Sequence, residues 1–150
     1  MAIQSLHGGQ KMPEIIYSKV EKDLQLLAIN RRYDISENRT DLCSEDQLLQ
    51  ISTKVLQKGT TFRPHKHNEL QRVTDTTHEA WIILQGAIKA KFWDIDDTLV
   101  HETVLRSGDC AVVYRAGHGF EVLEEGTILY EVKNGPYYGQ TKDKTFIKGV

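Results

Sequence analysis

The sequence has little cysteine: Cys43 and Cys110 are the only two thiols in 150 residues. They lie far apart and form no Cys-x-x-Cys pair, so the sequence indicates neither a disulfide framework nor a zinc knuckle. Free cysteine is among the residue types most often found buried. We therefore interpret both as reduced structural cysteines.

The chain also lacks an excess of one charge and a long apolar run. Its 19 basic and 21 acidic residues give a formal net charge of −2, and the basic residues are scattered. Because binding to phosphates requires clustered Lys and Arg, we expect no nucleic-acid partner. The opening MAIQSLHGGQKMPEIIY has no basic start or uninterrupted apolar core, and no segment has the length that crosses a bilayer. A cytoplasmic protein without membrane contact is expected.

Long amphipathic helical patterns are missing as well, and short strand-like runs take their place. The length fits one domain, residues 1–150, in which residues 1–12 form an N-terminal arm without periodicity. Strand-like runs recur about every ten residues between turn signals. They cover 14–20, 24–30, 48–56, 79–86, 87–97, 99–105, 109–114, 118–123 and 127–133. This spacing predicts an all-β fold with little helix, an antiparallel sandwich or barrel of the jelly-roll type.

The centre of the chain gives the clearest strand pattern. Gly86 separates EAWIILQG from AIKAKFWDIDD, and in the second run the apolar Ile88, Ala90 and Phe92 alternate with Lys89, Lys91 and Trp93. A period of two is typical of a strand with one buried face. The pattern predicts Phe92 on the buried face and Trp93 on the other.

His65 and His67 stand one residue apart in GTTFRPHKH. In a strand, residues i and i+2 point to the same face about 6.5–7 Å apart, so both imidazoles could converge on one metal ion. Arg63 shares their parity, and Pro64 suits an edge or an irregular strand end. The alternative is a chance pair of histidines on a solvated face.

Two longer patterns surround this pair. Gly59 is followed by five residues and then His-x-His, and Glu79 stands seven residues before Gly86. Further on, GDCAVVYRAGHGFEVL begins with Gly-Asp and ends with His118-x-Phe120. In this order the two motifs resemble those of the cupin superfamily, over about residues 48–133. The resemblance implies a small β-barrel, which in this family generally holds one divalent metal on three histidines and a glutamate.

Carried over residue by residue, the resemblance implies His65, His67, Glu79 and His118 as metal ligands. Eleven residues, 68–78, separate His67 from Glu79 where the family usually has three or four, so Glu69 competes for the carboxylate position. We prefer Glu79 because its distance to Gly86 fits. Such a donor set suits Fe, Mn, Ni, Cu or Zn and leaves positions open for water, oxygen or a chelating substrate.

Three further residues are candidates for contact with a substrate. Arg63 could hold a carboxylate or phosphate bidentately. Trp81 shares the parity of Glu79 and would form an apolar wall, and Tyr130 is a second wall candidate. For each aromatic residue, packing in the core is the alternative role.

The sequence therefore predicts a metal-dependent protein for a small polar or anionic metabolite. Isomerisation of a sugar-like molecule and oxygenation are both open, and the alternative is a non-catalytic module that binds or senses a carbohydrate. The C-terminal segment EVKNGPYYGQTKDKTFI resembles the ends of small bacterial cupins, some of them linked to surface-polysaccharide synthesis. We also expect a homodimer, because the strand-like runs 14–20 and 24–30 could pair with a second subunit.

Overall fold

The computed structural model describes residues 12–36 and 38–149, in which two large antiparallel β-sheets pack face to face and β3 and β4 form a separate two-stranded sheet. The predicted N-terminal arm, residues 1–12, lies outside the described residues apart from Met12. The strands are β1 Glu14–Tyr17, β2 Gln25–Asn30, β3 Thr40–Asp41, β4 Ser52–Thr53, β5 Glu79–Gln85, β6 Ala87–Trp93, β7 Leu99–Arg106, β8 Cys110–Val113, β9 Gly117–Val122 and β10 Ile128–Lys133. A 3₁₀ turn, Arg32–Asp34, and one short helix, α1 Gln140–Asp143, complete the regular structure of these residues.

The larger sheet has the strand order β1-β2-β8-β5-β10, and the smaller has the order β7-β6-β9. All pairings are antiparallel. The non-sequential order places β5, from the middle of the chain, between β8 and β10. The predicted all-β antiparallel class is thus confirmed.

Alternating side chains from the two sheets meet in the core. Trp81 and Ile83 of the larger sheet pack with Ile88, Ala90 and Phe92 of the smaller one. Ile88, Ala90 and Phe92 are fully buried, as their alternation in the sequence predicts. Burial of such side chains contributes roughly 1.5–3 kcal/mol for each large one, which holds the two sheets together.

A second apolar cluster covers the outer face of the larger sheet. The segment around β3 and β4 supplies Leu42 and Cys43, which pack against Cys110, Val112 and Tyr114. The predicted strand 48–56 contains only the two-residue β4, Ser52–Thr53. The reason is that Leu49 and Ile51, within the irregular part of this run, pack onto the sheet from outside and do not add a strand to it.

The turn before β8 explains the Gly-Asp pair of the second motif. Gly108 has φ +87°, a conformation that favours glycine, and a Cβ there would lie 2.7 Å from Arg32 Cδ. Asp109 then accepts three hydrogen bonds: from the N–H of Arg32 at 2.9 Å, the N–H of Arg106 at 3.0 Å and Arg31 Nη1 at 3.2 Å. One buried carboxylate therefore joins β2, β7 and β8.

Asp94 plays a similar part at the end of β6. It is 1% exposed and accepts hydrogen bonds from Ser18 Oγ at 2.6 Å, the Lys19 N–H at 2.6 Å and the Ile95 N–H at 2.8 Å. Burial alone would raise the pKa of Asp94, but these hydrogen bonds outweigh burial and hold that pKa below its usual value.

We expect Asp94→Asn to lower the free energy of unfolding by about 2 kcal/mol, because an amide cannot accept all three hydrogen bonds. Since the pKa of Asp94 is depressed in the folded state, its stabilising effect is complete above the ordinary aspartate pKa. The effect is lost as the pH falls through the folded-state value. Urea unfolding of wild type and variant between pH 7 and pH 3 checks this, and two parallel stability curves would contradict it.

The sandwich has free strand edges, two of which belong to β9 and β10. Among the described residues, β9 pairs only with β6 and β10 pairs only with β5, so each leaves an edge free. Within residues 12–36 and 38–149 the two sheets do not close into a barrel. The jelly-roll barrel expected from the sequence is therefore confirmed only as an antiparallel all-β fold.

Residues 54–75 leave the body of the sandwich between β4 and β5. Every residue in this range is exposed, and none belongs to a strand or helix. We refer to it as the 54–75 segment. In the described part of the chain, no helix has the length and apolar character needed to cross a membrane.

Candidate functional site

The candidate site is built around Glu79 and His118, which approach each other from the two sheets. Glu79 is the first residue of β5, and His118 is the second residue of β9. Glu79 Oε2 lies 3.6 Å from His118 Nε2. The carboxylate is only 5% exposed, although a buried acid is costly unless it is paired. The sheets thus bring together two residues that are 39 positions apart in sequence.

Two further donors hold the Glu79 carboxylate. Trp81 Nε1 donates a hydrogen bond to Glu79 Oε1 at 2.7 Å, and Lys133 Nζ lies 3.0 Å from Oε2. Burial tends to raise the pKa of Glu79, but the contacts with His118, Lys133 and Trp81 outweigh it and hold the pKa well below its usual range. Glu79 is therefore ionised at neutral pH.

The imidazole of His118 is oriented by its other nitrogen. Nδ1 lies 3.0 Å from the Ala116 carbonyl oxygen, which can only accept, so Nδ1 carries a proton and donates it. Burial tends to lower the pKa of His118, yet the Glu79 carboxylate 3.6 Å away and the Ala116 carbonyl oxygen outweigh burial and raise it. Nε2 is the nitrogen that faces Glu79, and it is the one left to bind an ion or to exchange a proton.

A cavity of about 720 Å³ lies beside this pair. Its apolar wall consists of Trp81, Trp93 and Phe120, and the Trp81 ring lies 5.4 Å from the His118 ring and 5.0 Å from the Phe120 ring. The opposite wall comes from residues 143–147 of the C-terminal segment, with Glu131 beside them. Aromatic walls with a few convergent polar groups are typical of sites for small molecules.

The predicted residues His65, His67 and Arg63 lie elsewhere, on the exposed 54–75 segment and not in a strand. The His65 and His67 rings are 5.4 Å apart, so the two imidazoles do stand together. His65 Nδ1 lies 3.0 Å from the Arg63 carbonyl oxygen. Glu69, the alternative carboxylate, is on the same exposed segment.

The structure therefore brings Glu79 and His118 together and does not bring His65 and His67 to them. In the described residues, no three His, Cys, Asp or Glu side chains form a group that could hold a metal ion.

Of the two predicted aromatic wall residues, Trp81 lines the cavity and Tyr130 does not. Tyr130 is 62% exposed and lies on the face of β10 opposite to Glu131 and Lys133.

Sequence reasoning missed Lys133, Trp93 and the 143–147 wall. Lys133 reaches Glu79 because β10 pairs with β5 in a register that sets these two residues opposite each other. No short motif encodes that register. Trp93 was placed by alternation on the face of Lys89 and Lys91, and it does line a pocket with these two residues. Trp93 is nevertheless only 9% exposed, because it lines the cavity together with residues 143–147 of the C-terminal segment.

The pair fits part of a metal site. Two donors at about 2.1 Å from one ion with a tetrahedral angle lie about 3.4 Å apart. The 3.6 Å between Glu79 Oε2 and His118 Nε2 is close to this value. The Lys133 ammonium group contacts the same oxygen and would compete with a metal cation for it.

Comparisons with family models, with curated proteins and with solved structures find no match to this chain.

Proposed function

We propose that this chain is a cupin-type protein that acts on a small polar or anionic metabolite in the cavity beside Glu79 and His118. In this proposal one divalent transition metal, Fe, Mn, Ni, Cu or Zn, binds at that pair. The observation that carries the proposal is the 3.6 Å approach of an ionised, buried carboxylate to an oriented imidazole at the wall of an open cavity. The two sequence motifs support the same assignment.

His65 and His67 would complete the donor set if the 54–75 segment carried them to the pair. Their rings already lie 5.4 Å apart on a segment that is free of the sandwich. When bound, the metal would supply Lewis-acid polarisation of a substrate oxygen, or activation of oxygen.

The walls of the cavity favour a sugar-type ligand. Trp81, Trp93 and Phe120 offer ring faces, while Glu131 and Asp143 offer acceptors for hydroxyl groups. Lys144 at the same wall suits an anionic substituent. In an isomerisation, His118 Nε2 would move a proton between neighbouring substrate atoms, and Glu79 would stabilise the imidazolium.

Metal analysis tests the proposal directly. Tag-free protein should retain about one transition-metal ion per chain, and the double variant His65→Ala, His67→Ala should lose most of it. His101→Gln is the matched control, because His101 lies on β7 outside the cavity lining. A wild type that holds no stoichiometric metal, and that no divalent ion stabilises against heat, would overturn the metal assignment.

A metal-free acid–base site is a second candidate, and Lys133 favours it. The Lys133 ammonium group contacts Glu79 Oε2 at 3.0 Å and Glu131 Oε1 at 2.7 Å, so a cation already balances the buried carboxylate. His118 and Glu79 would then move the proton of an isomerisation without a metal. Ligand binding without turnover is the outcome expected for a non-catalytic carbohydrate-binding module.

Lys133→Met separates the two candidates. If a metal binds at Glu79, removal of the competing ammonium group should tighten that binding about tenfold or more, because two cations near one carboxylate repel each other. If the site instead works without a metal, Lys133→Met should not create metal binding. Competition with a chromogenic chelator measures the difference, and Lys89→Met, on the exposed Lys89–Glu102 pair, is the control.

A further inference from the structure

At its free edge, strand β9 exposes apolar side chains that point toward the interior of the sandwich. Phe120 and Val122 share the inward parity of His118, yet they are 42% and 54% exposed. Their cross-strand neighbours on β6, Ala90 and Ile88, are fully buried. The inner face of the smaller sheet is therefore covered over β6 and uncovered over β9.

The edge of β9 also presents unpaired backbone groups. The Leu123 N–H donates to the Ala87 carbonyl oxygen at 3.0 Å, which makes this position a hydrogen-bonded pair with β6. Because hydrogen-bonded pairs alternate along an antiparallel ladder, the N–H and C=O groups of His118, Phe120 and Val122 point to the free side. Such an edge readily accepts another strand.

The 54–75 segment also contains backbone groups without a backbone partner. Within the described chain, the backbone groups of residues 61–75 form no hydrogen bond with other backbone groups. The segment also exposes apolar side chains: Val55, Leu56, Phe62, Leu70 and Val73. Exposed backbone groups can bond to water, but a run of exposed apolar side chains is typical of a surface that contacts a partner.

The charges of the two elements are opposite. The 54–75 segment contains five Lys and Arg and two acidic residues, a net charge of +3 with neutral histidines. Residues 117–127, which are β9 and its following turn, contain three glutamates and no Lys or Arg, a net charge of −3. One of the three, Glu124, already contacts Arg106 at 3.1 Å, which leaves Glu121 and Glu125 for the segment.

Hydrogen bonds hold the 54–75 segment at both ends. The residues between these ends do not pack against the sandwich of their own chain. β4 fixes its start by pairing with β3. At its end, Asn134 bonds to the Thr76 carbonyl oxygen and the His78 N–H, and Thr77 Oγ1 donates to Asp143. All 22 residues between these anchors are exposed, so they do not cover the β9 edge of their own chain.

We propose that two copies of this chain exchange strands: residues 61–67 of each copy add to the free edge of β9 in the other. A reciprocal exchange closes both sandwiches with two-fold symmetry. It covers Phe120 and Val122, pairs the exposed backbone groups and brings the basic segment against Glu121 and Glu125. With residues 63, 65 and 67 facing inward, His65 and His67 of one copy would reach Glu79 and His118 of the other.

The proposed exchange depends on the free edge of β9, on exposed apolar side chains and on the opposite charges of the two elements. It requires no metal. Its test is therefore carried out in the presence of a chelator, so that failure of the metal proposal leaves the result unchanged. Light scattering of the full chain should give a dimer, and a monomer at 50 μM would overturn the proposal.

Cross-linking then identifies which chain donates the strand. Chains labelled with ¹⁴N and ¹⁵N are unfolded together, refolded and treated with a carbodiimide, which joins Lys to Glu without a spacer. Cross-links from Lys58 or Lys66 to Glu121 or Glu125 should include mixed-label pairs in about half of the products, as random pairing requires. Pairs of a single label only would show that each segment closes its own chain, and would overturn the exchange.

Val122→Pro tests the edge itself. Proline removes the N–H that points to the free side and leaves the ladder with β6 intact. It should raise the dimer dissociation constant roughly a hundredfold, since one edge bond and its neighbours are lost at each of two interfaces. Val122→Thr keeps the N–H and the β-branched shape, and it should stay dimeric. A proline variant that is folded by circular dichroism and as dimeric as wild type would contradict the proposal.

Discussion

Glu79→Gln should reduce metal retention by at least a hundredfold. The amide has lost the negative charge, and neutral amides are much weaker ligands of transition metals than carboxylates. The fold should tolerate the change, because the amide oxygen can still accept from Trp81 and because Lys133 keeps Glu131 as a partner at 2.7 Å. Metal content by elemental analysis and affinity by chelator competition measure the loss.

The matched control is Glu131→Gln. Glu131 contacts the same lysine and lines the same cavity, but its ion pair is with Lys133, whereas that of His118 is with Glu79. It should retain metal as wild type does. If Glu79→Gln retained as much metal as the control, Glu79 would not be a ligand, and the metal-free proton-transfer site would be the better description.

Asp109→Ala should lower the free energy of unfolding by about 3–5 kcal/mol. This is the typical cost of removing one partner of a buried ion pair, because the other charge is left without compensation. Asp109 is 6% exposed, and its loss would leave Arg31 and the N–H groups of Arg32 and Arg106 without their acceptor. Arg31 would keep its hydrogen bonds to the Val104 carbonyl oxygen and to Thr103, which is why the fold should weaken and not collapse.

Urea unfolding monitored by tryptophan fluorescence measures this effect. Asp41→Ala is the control, since the Arg39–Asp41 pair lies on the surface and exposed ion pairs contribute little. If the unfolding midpoint of Asp109→Ala shifted no more than that of the control, the three hydrogen bonds of Asp109 would not be what joins β2, β7 and β8.

Most strands could be predicted from the sequence because their periodicity is local. The runs 79–86, 87–97, 99–105, 109–114, 118–123 and 127–133 correspond to β5 to β10. The inward positions Ile88, Ala90 and Phe92 follow from alternation alone. The burial of Trp93 does not, because residues 143–147, which line the same cavity, are distant from it in sequence.

The candidate site was predictable only in part, for the same physical reason. Glu79 and His118 belong to motifs that the sequence displays, and the structure places them together. Lys133 comes from strand pairing across 54 positions, and the 143–147 wall comes from a segment without strand or helix periodicity. His65 and His67 were predicted in a strand, but a strand forms only where another edge pairs with it. Within the described chain no edge pairs with the 54–75 segment, although the edge of β9 is free.

The two cysteines of this chain pack on the outer face of the larger sheet, whereas β9 belongs to the smaller sheet. Cys43 and Cys110 are free, buried thiols in the cluster that covers the outer face of the larger sheet. Burial raises the pKa of Cys110 to about 12, so almost no reactive thiolate exists at neutral pH. Alkylation of Cys110 would therefore proceed only as fast as that cluster opens. The wild-type chain thus carries its own kinetic reporter of the opening of this cluster.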